Sequence, residues 1–140
     1  MNMLIPDAGK LKILDMVFRE PAIGEGFFVR LFSDPVAVTD TAFLDDYSFP
    51  DFEGSAPIAI ARADWAAAVI VGERGVLLCT APISWTMTAG TPETVYGWVL
   101  YGDTTDIIYA GQTFDTPRDF VIGATLTLEP FQIQDKSIED

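Results

Sequence analysis

The feature that most constrains this chain is its period. From Gly26 onward, apolar and polar residues alternate every second position in short runs, and each run is closed by glycine or proline. Alternation of this kind puts one side of an extended strand against a core and the other in water, which a helix cannot do. Residues 27–32 form such a run, ended by Ser33-Asp34-Pro35, and Ile58 and Ile60 alternate with Ala59 and Ala61 after Pro57. Residues 65–71 and 76–80 flank Gly72-Glu73-Arg74-Gly75, which predicts a hairpin with a four-residue connection. Ile83, Trp85 and Met87 alternate with Ser84, Thr86 and Thr88, predicting one buried and one wet face. Residues 95–101 are expected to pair with 107–112 across 102–106, and residues 125–129 form a last strand that Phe131-Gln132-Ile133 extend. About eight strands between glycine and proline stops predict an all-β fold, an antiparallel β-sandwich or jelly roll.

Residues 7–20 carry the other period. Leu11, Leu14, Val17 and Phe18 recur at three- and four-residue spacing, Asp7 can cap the start, and Pro21 stops the run. One N-terminal helix is predicted there. Its balanced charge makes it a docking element, packed on a sheet or on a neighbouring subunit. The expected organisation is a helical docking segment at 1–25, a β-sandwich domain at 26–134 and an acidic tail at 135–140.

Charge and composition exclude whole classes of function. The 140 residues hold 21 acids against 8 bases, a net charge of −13, and the excess lies beyond residue 20. Nucleic acid and anionic membranes are therefore not expected as partners, since every phosphate contact needs a cation. The chain has no histidine, which removes the usual general base, the commonest metal ligand and the Ser-His and Cys-His nucleophile systems. Cys79 is the one cysteine; set in an apolar run, it is expected to be a small core residue in a chain made in a reducing cytoplasm. No run is long enough for a membrane span, and no signal peptide is read at the start.

The remaining chemistry is sparse. Asp45 and Asp46 with Asp51 and Glu53, or Asp103 with Asp106, offer oxygens for calcium but lack the alternate spacing of a calcium loop. Gly24-Glu25-Gly26 lacks the third glycine and the lysine of a phosphate loop. Glycoside hydrolysis survives the absence of histidine because it needs only two carboxylates, yet nothing among so many acids singles out a pair. Trp65, Trp85 and Trp98 lie in or beside apolar runs that suit a core; Trp98, near Tyr96 and Tyr101, is the one candidate for a sugar-stacking platform. No catalytic residue, cofactor site or metal site is assigned, and the chain is expected not to be an enzyme.

Residues 33–55 stand apart, with six acids interrupted by Phe43, Tyr47, Phe49 and Phe52 and no regular period. Two roles are open to such a segment: a loop whose rings are tucked into the core, or a surface that meets a partner. The residues assigned to partner binding are Tyr47, Phe49 and Phe52 in this segment and Leu11, Leu14 and Phe18 on the predicted helix.

From about residue 28 to 134 the chain resembles small β-sandwich virion proteins of tailed bacteriophages. The resemblance lies in Tyr47-Ser48-Phe49-Pro50-Asp51-Phe52, then Ile58-Ala59-Ile60 leading to Trp65. Thr94-Val95-Tyr96-Gly97-Trp98-Val99-Leu100, Ile107-Ile108-Tyr109-Ala110-Gly111-Gln112-Thr113-Phe114 and the closing Gly123-Ala124-Thr125-Leu126-Thr127-Leu128 continue it. It implies a bacteriophage structural protein located in the virion. The implied role is capsid decoration or cement, working as a homo-oligomer (a trimer among the candidates) bound to the major capsid protein or other virion proteins. A receptor- or carbohydrate-binding knob of a fibre is the alternative. The resemblance transfers no functional residue.

Overall fold

The computed structural model describes residues 26–38, 42–72, 74–80, 82–104, 106, 108–129 and 131–136. The predicted helix at 7–20, with Leu11, Leu14 and Phe18, lies outside them, as do residues 137–140 of the expected tail. Among the described residues nine strands are formed: β1 (Phe27–Phe32), β2 (Ile58–Ile60), β3 (Val69–Val71), β4 (Arg74–Cys79), β5 (Ile83–Thr86), β6 (Glu93–Gly102), β7 (Ile108–Phe120), β8 (Thr125–Leu128) and β9 (Phe131–Lys136). Every pairing among them is antiparallel, and the helical content of the described residues is two 3-10 turns, at Leu44–Asp46 and Arg62–Asp64. The chain divides into two compact units.

The larger unit holds residues 26–60 and 83–128. Its main sheet has the order β2-β1-β6-β7, with β6 in the interior and buried almost throughout. Opposed residues share a face, so the register assigns the side chains. Ile58, Val29, Leu100 and Ala110 lie in one row, with Leu31, Trp98 and Gln112 in the next. On the other face, Phe28, Tyr101 and Ile108 lie in line, beside Phe32, Gly97 and Thr113. Residues 95–101 read as an almost unbroken apolar run because both faces of β6 are covered.

Gly97 is required by this packing. A Cβ there would stand 2.2 Å from the Gln112 carbonyl oxygen and 2.5 Å from the Phe32 ring, which is itself fully buried against Tyr47. The expected pairing of 95–101 with 107–112 is present from Tyr101↔Ile108 to Trp98↔Gln112, whereas Val95 pairs with Arg118 because β7 runs on to Phe120. Between Thr113 and Arg118, four residues face only Tyr96, so the strand bulges outward. Pro117, which has no N–H to give a ladder, sits in that bulge.

A two-stranded sheet completes the unit. Ile83 and Trp85 of β5 oppose Leu128 and Leu126 of β8, while Thr86 and Thr125 share a 2.7 Å hydroxyl hydrogen bond on the wet face. The alternation predicted for residues 83–88 holds throughout, since Ile83, Trp85 and Met87 are buried and Ser84, Thr86 and Thr88 are exposed. The Trp85 indole donates to the Ala56 carbonyl at 3.1 Å.

The smaller unit holds β3, β4 and β9 in that order. The predicted hairpin is present with a tighter turn: Val71 already pairs with Arg74, leaving only residues 72–73 between them. Gly72 supplies the left-handed backbone, φ +64°, that a two-residue connection demands. Residues 131–133 do not prolong β8. They begin β9, which pairs with β4 from Cys79↔Phe131 to Arg74↔Lys136, after the Pro130 stop. Trp65 bridges to Cys79 and meets the Phe131 ring edge-on at 5.9 Å, so the lone thiol is a buried core group.

Gly97→Ala is expected to destabilise the protein by about 2–3 kcal/mol, because neither the β7 carbonyl nor the Phe32 ring has room to retreat. Urea denaturation measures it; a loss below about 0.5 kcal/mol would contradict the close approach.

Candidate functional site: the two ends of β6

Residues 33–38 and 42–52 wall off the second face of the main sheet. Tyr47 packs 4.8 Å from the Phe32 ring within a cluster completed by Val99 and Tyr101, and Val36, Val38, Ala42, Leu44 and Phe49 pack around it. The Tyr47 hydroxyl donates to the Ala37 carbonyl at 3.0 Å. Burial, and then the charges of Asp46 and Asp34, raise the Tyr47 pKa above the ordinary tyrosine value and keep that donor protonated. Arg30 reaches over the Phe49 ring at 4.0 Å in a cation–π contact. It also opposes the effect of burial on Tyr101, which still leaves that phenol raised.

Phe52 stacks on Phe120 at 4.9 Å, and the segment is stitched down by a bridge between Glu53 and Ala89. Gly54, at φ +102°, lies so close to the Thr86 carbonyl that a Cβ would sit at 1.8 Å.

The rings assigned to partner binding are therefore used mainly by the fold. Tyr47 is 6% exposed, Phe52 is 4% exposed, and Phe49 is half-buried beneath Arg30. Of the two roles open to the segment, these three rings fill the first. The exposed ring of the segment is Phe43, at 71%, which is not among the residues assigned to partner binding. It stands before the 3-10 turn, with its N–H held by the Asp46 carboxylate at 2.9 Å and its carbonyl accepting the Asp46 N–H at 2.9 Å. Leu44 points inward from the same turn, so the backbone is anchored while the ring projects.

Beside Phe43 opens a cavity of about 240 Å³ lined by Phe43, Leu44, Asp45 and Asp106. Asp106 closes the connection at the C-terminal end of β6; it has a left-handed backbone, φ +56°, and donates its N–H to the Gly102 carbonyl.

The other end of β6 carries a second apolar point. Residues 121–124 make a turn in which the Ala124 N–H reaches the Val121 carbonyl at 2.9 Å and Gly123 takes φ +93°. Its two leading side chains, Val121 and Ile122, are 51% and 65% exposed, where turns ordinarily carry polar residues. An open cavity of about 250 Å³ adjoins it, lined by Pro92, Glu93, Thr94, Asp119, Phe120 and Val121. Thr94 donates to the Asp119 carboxylate at 2.8 Å. Partial burial, and then the neighbouring Asp51 carboxyl, raise the Glu93 pKa above the ordinary glutamate value.

The other constellations fall into place around these points. Trp98 and Tyr101 are buried, and the Trp98 indole donates to Gln112 at 3.3 Å, so they offer no stacking platform. Asp46 and Asp103 serve as backbone acceptors, for Phe43 and Gly26. Among the described residues no three acids or thiols converge to hold a metal ion, and no helix is long and apolar enough to cross a membrane. No known protein family and no curated protein matches the chain in sequence. Function therefore has to be argued from these surfaces.

The Glu93 environment has a pH signature. A raised carboxyl pKa means that the folded state holds its proton more tightly than the unfolded chain does. The associated stability is present below about pH 4.3 and is lost as pH rises through the raised value. Glu93→Gln is expected to raise Tm at pH 7, with the gain shrinking towards pH 4. Thermal denaturation at both values checks it, and a variant less stable at pH 7 would contradict the assignment.

Proposed function

We propose that the chain is a non-enzymatic structural protein of a tailed-bacteriophage virion, a capsid decoration or cement protein of β-sandwich or jelly-roll form. It would bind the major capsid protein or other virion proteins and associate with copies of itself. The observation that carries this reading is the pair of exposed apolar points among the described residues of the larger unit, Phe43 and Val121–Ile122, at opposite ends of one strand; the smaller unit exposes Val69 and Val71 as well. Ten extended residues separate the two points of the larger unit by about 30 Å. A protein that cements a shell has to touch two neighbours at once, and two separated anchors on a stiff sheet provide that. Both points sit among carboxylates in a chain of net charge −13, which keeps the free protein apart from its own copies until it docks. The phage assignment itself comes from the residue pattern described above.

The hollow beside the β7 bulge supports a second reading, a receptor- or carbohydrate-binding knob. It measures about 410 Å³ and brings Phe114 together with Gln112, Asp115, Thr116 and Arg118, one ring and several hydrogen-bonding groups. Glycan binding abolished by Phe114→Ala would favour it over cement.

Rebinding to particles stripped of the protein tests the first reading. Wild type is expected to attach and to raise the temperature at which particles break. Phe43→Ala or Ile122→Ser is expected to weaken attachment and remove the stabilisation, since each loses one of the two contacts. Full stabilisation by the double variant, or absence of the protein from purified particles, would overturn the proposal.

A further inference from the structure

We infer that the cavity beside Phe43 receives a basic side chain, arginine or lysine, projected by the protein on which this end of the larger unit docks. The inference rests on the docking reading above and adds the partner's chemistry. The cavity has two kinds of wall. Phe43 and Leu44 are apolar, whereas Asp45 and Asp106 bring acidic residues from two separate chain elements to the same space. No lysine or arginine lines it among the described residues.

An amphipathic cation matches both walls: its aliphatic stem lies against Leu44 and the ring, and its charged head faces the ring and the carboxylates. Other occupants match less well. Calcium needs six to eight oxygens, which two carboxylates fall short of, and it has no use for an exposed ring. An anion is repelled. A neutral apolar side chain would desolvate the carboxylates without satisfying them.

The site is also stiff. Phe43 is held by both of its backbone hydrogen bonds to Asp46, and Asp106 by its bond to Gly102 in a left-handed conformation that few residues other than glycine adopt. Asparagine tolerates that conformation at least as well as aspartate, so Asp106→Asn removes the charge while keeping the turn.

The test is an amide NMR titration of the full chain with the blocked tripeptide Gly-Arg-Gly, its lysine and norleucine counterparts, and calcium chloride. The arginine and lysine peptides are expected to give saturable shifts centred on residues 43–46 and 106, weakening as sodium chloride is added. Phe43→Ala and Asp106→Asn should each reduce the affinity by about three- to fivefold. No saturable shift, an equal response to norleucine, or the same shifts with calcium alone would overturn the inference. Silence towards the arginine and lysine peptides, with Phe43→Ala still impairing particle attachment, removes the cation and leaves the docking reading intact. Peptide binding without any effect of Phe43→Ala on attachment removes the docking reading instead.

Discussion

Both faces of β6 are apolar, and a β-sheet supplies no covering of its own for the second face. In the larger unit that covering has almost no regular hydrogen bonding among its described residues, 33–38 and 42–52, and is held mainly by ring contacts: Tyr47 on Phe32, Phe49 under Arg30 and Phe52 on Phe120. Gly97 makes this possible, because the absence of its side chain lets Phe32 lie flat enough to receive Tyr47. Removing the Tyr47 or Phe49 ring would expose the Val99–Tyr101 face to water. The aromatic content of the segment is thus explained by the sheet beneath it before any partner is invoked.

Against that background the exceptions carry meaning. A segment that buries Tyr47 and Phe52 but leaves Phe43 exposed does not do so for want of interior space nearby, since Leu44 from the same turn goes inward. The Val121–Ile122 turn is a similar case, as a turn at a strand end has no packing need for two aliphatic side chains. Exposed apolar groups at the two ends of one strand, each bordered by carboxylates, are the surfaces on which the proposed attachment rests.

Much of the strand pattern was legible because period-two alternation has few other readings. Ile83, Trp85 and Met87 announce a buried face, and Gly72 announces a turn. Three things were not legible. The outward bulge of β7 between Thr113 and Arg118 has no local signal except Pro117, since strand pairing is set by a partner distant in sequence. The assignment of residues 131–136 to the sheet of β4 depends on which edge was open to them, which alternation does not encode. Phe43, Tyr47, Phe49 and Phe52 look equivalent in sequence; only the Asp46-capped turn, which faces Leu44 inward and Phe43 outward, separates them.

The central claim is that one copy grips neighbours at both ends of β6. Cryo-electron microscopy of particles carrying the protein tests it directly. The account predicts neighbouring-subunit density against the Phe43 turn and against the Val121–Ile122 turn of the same copy. Particles in which both turns face solvent while the copy is held elsewhere would contradict it.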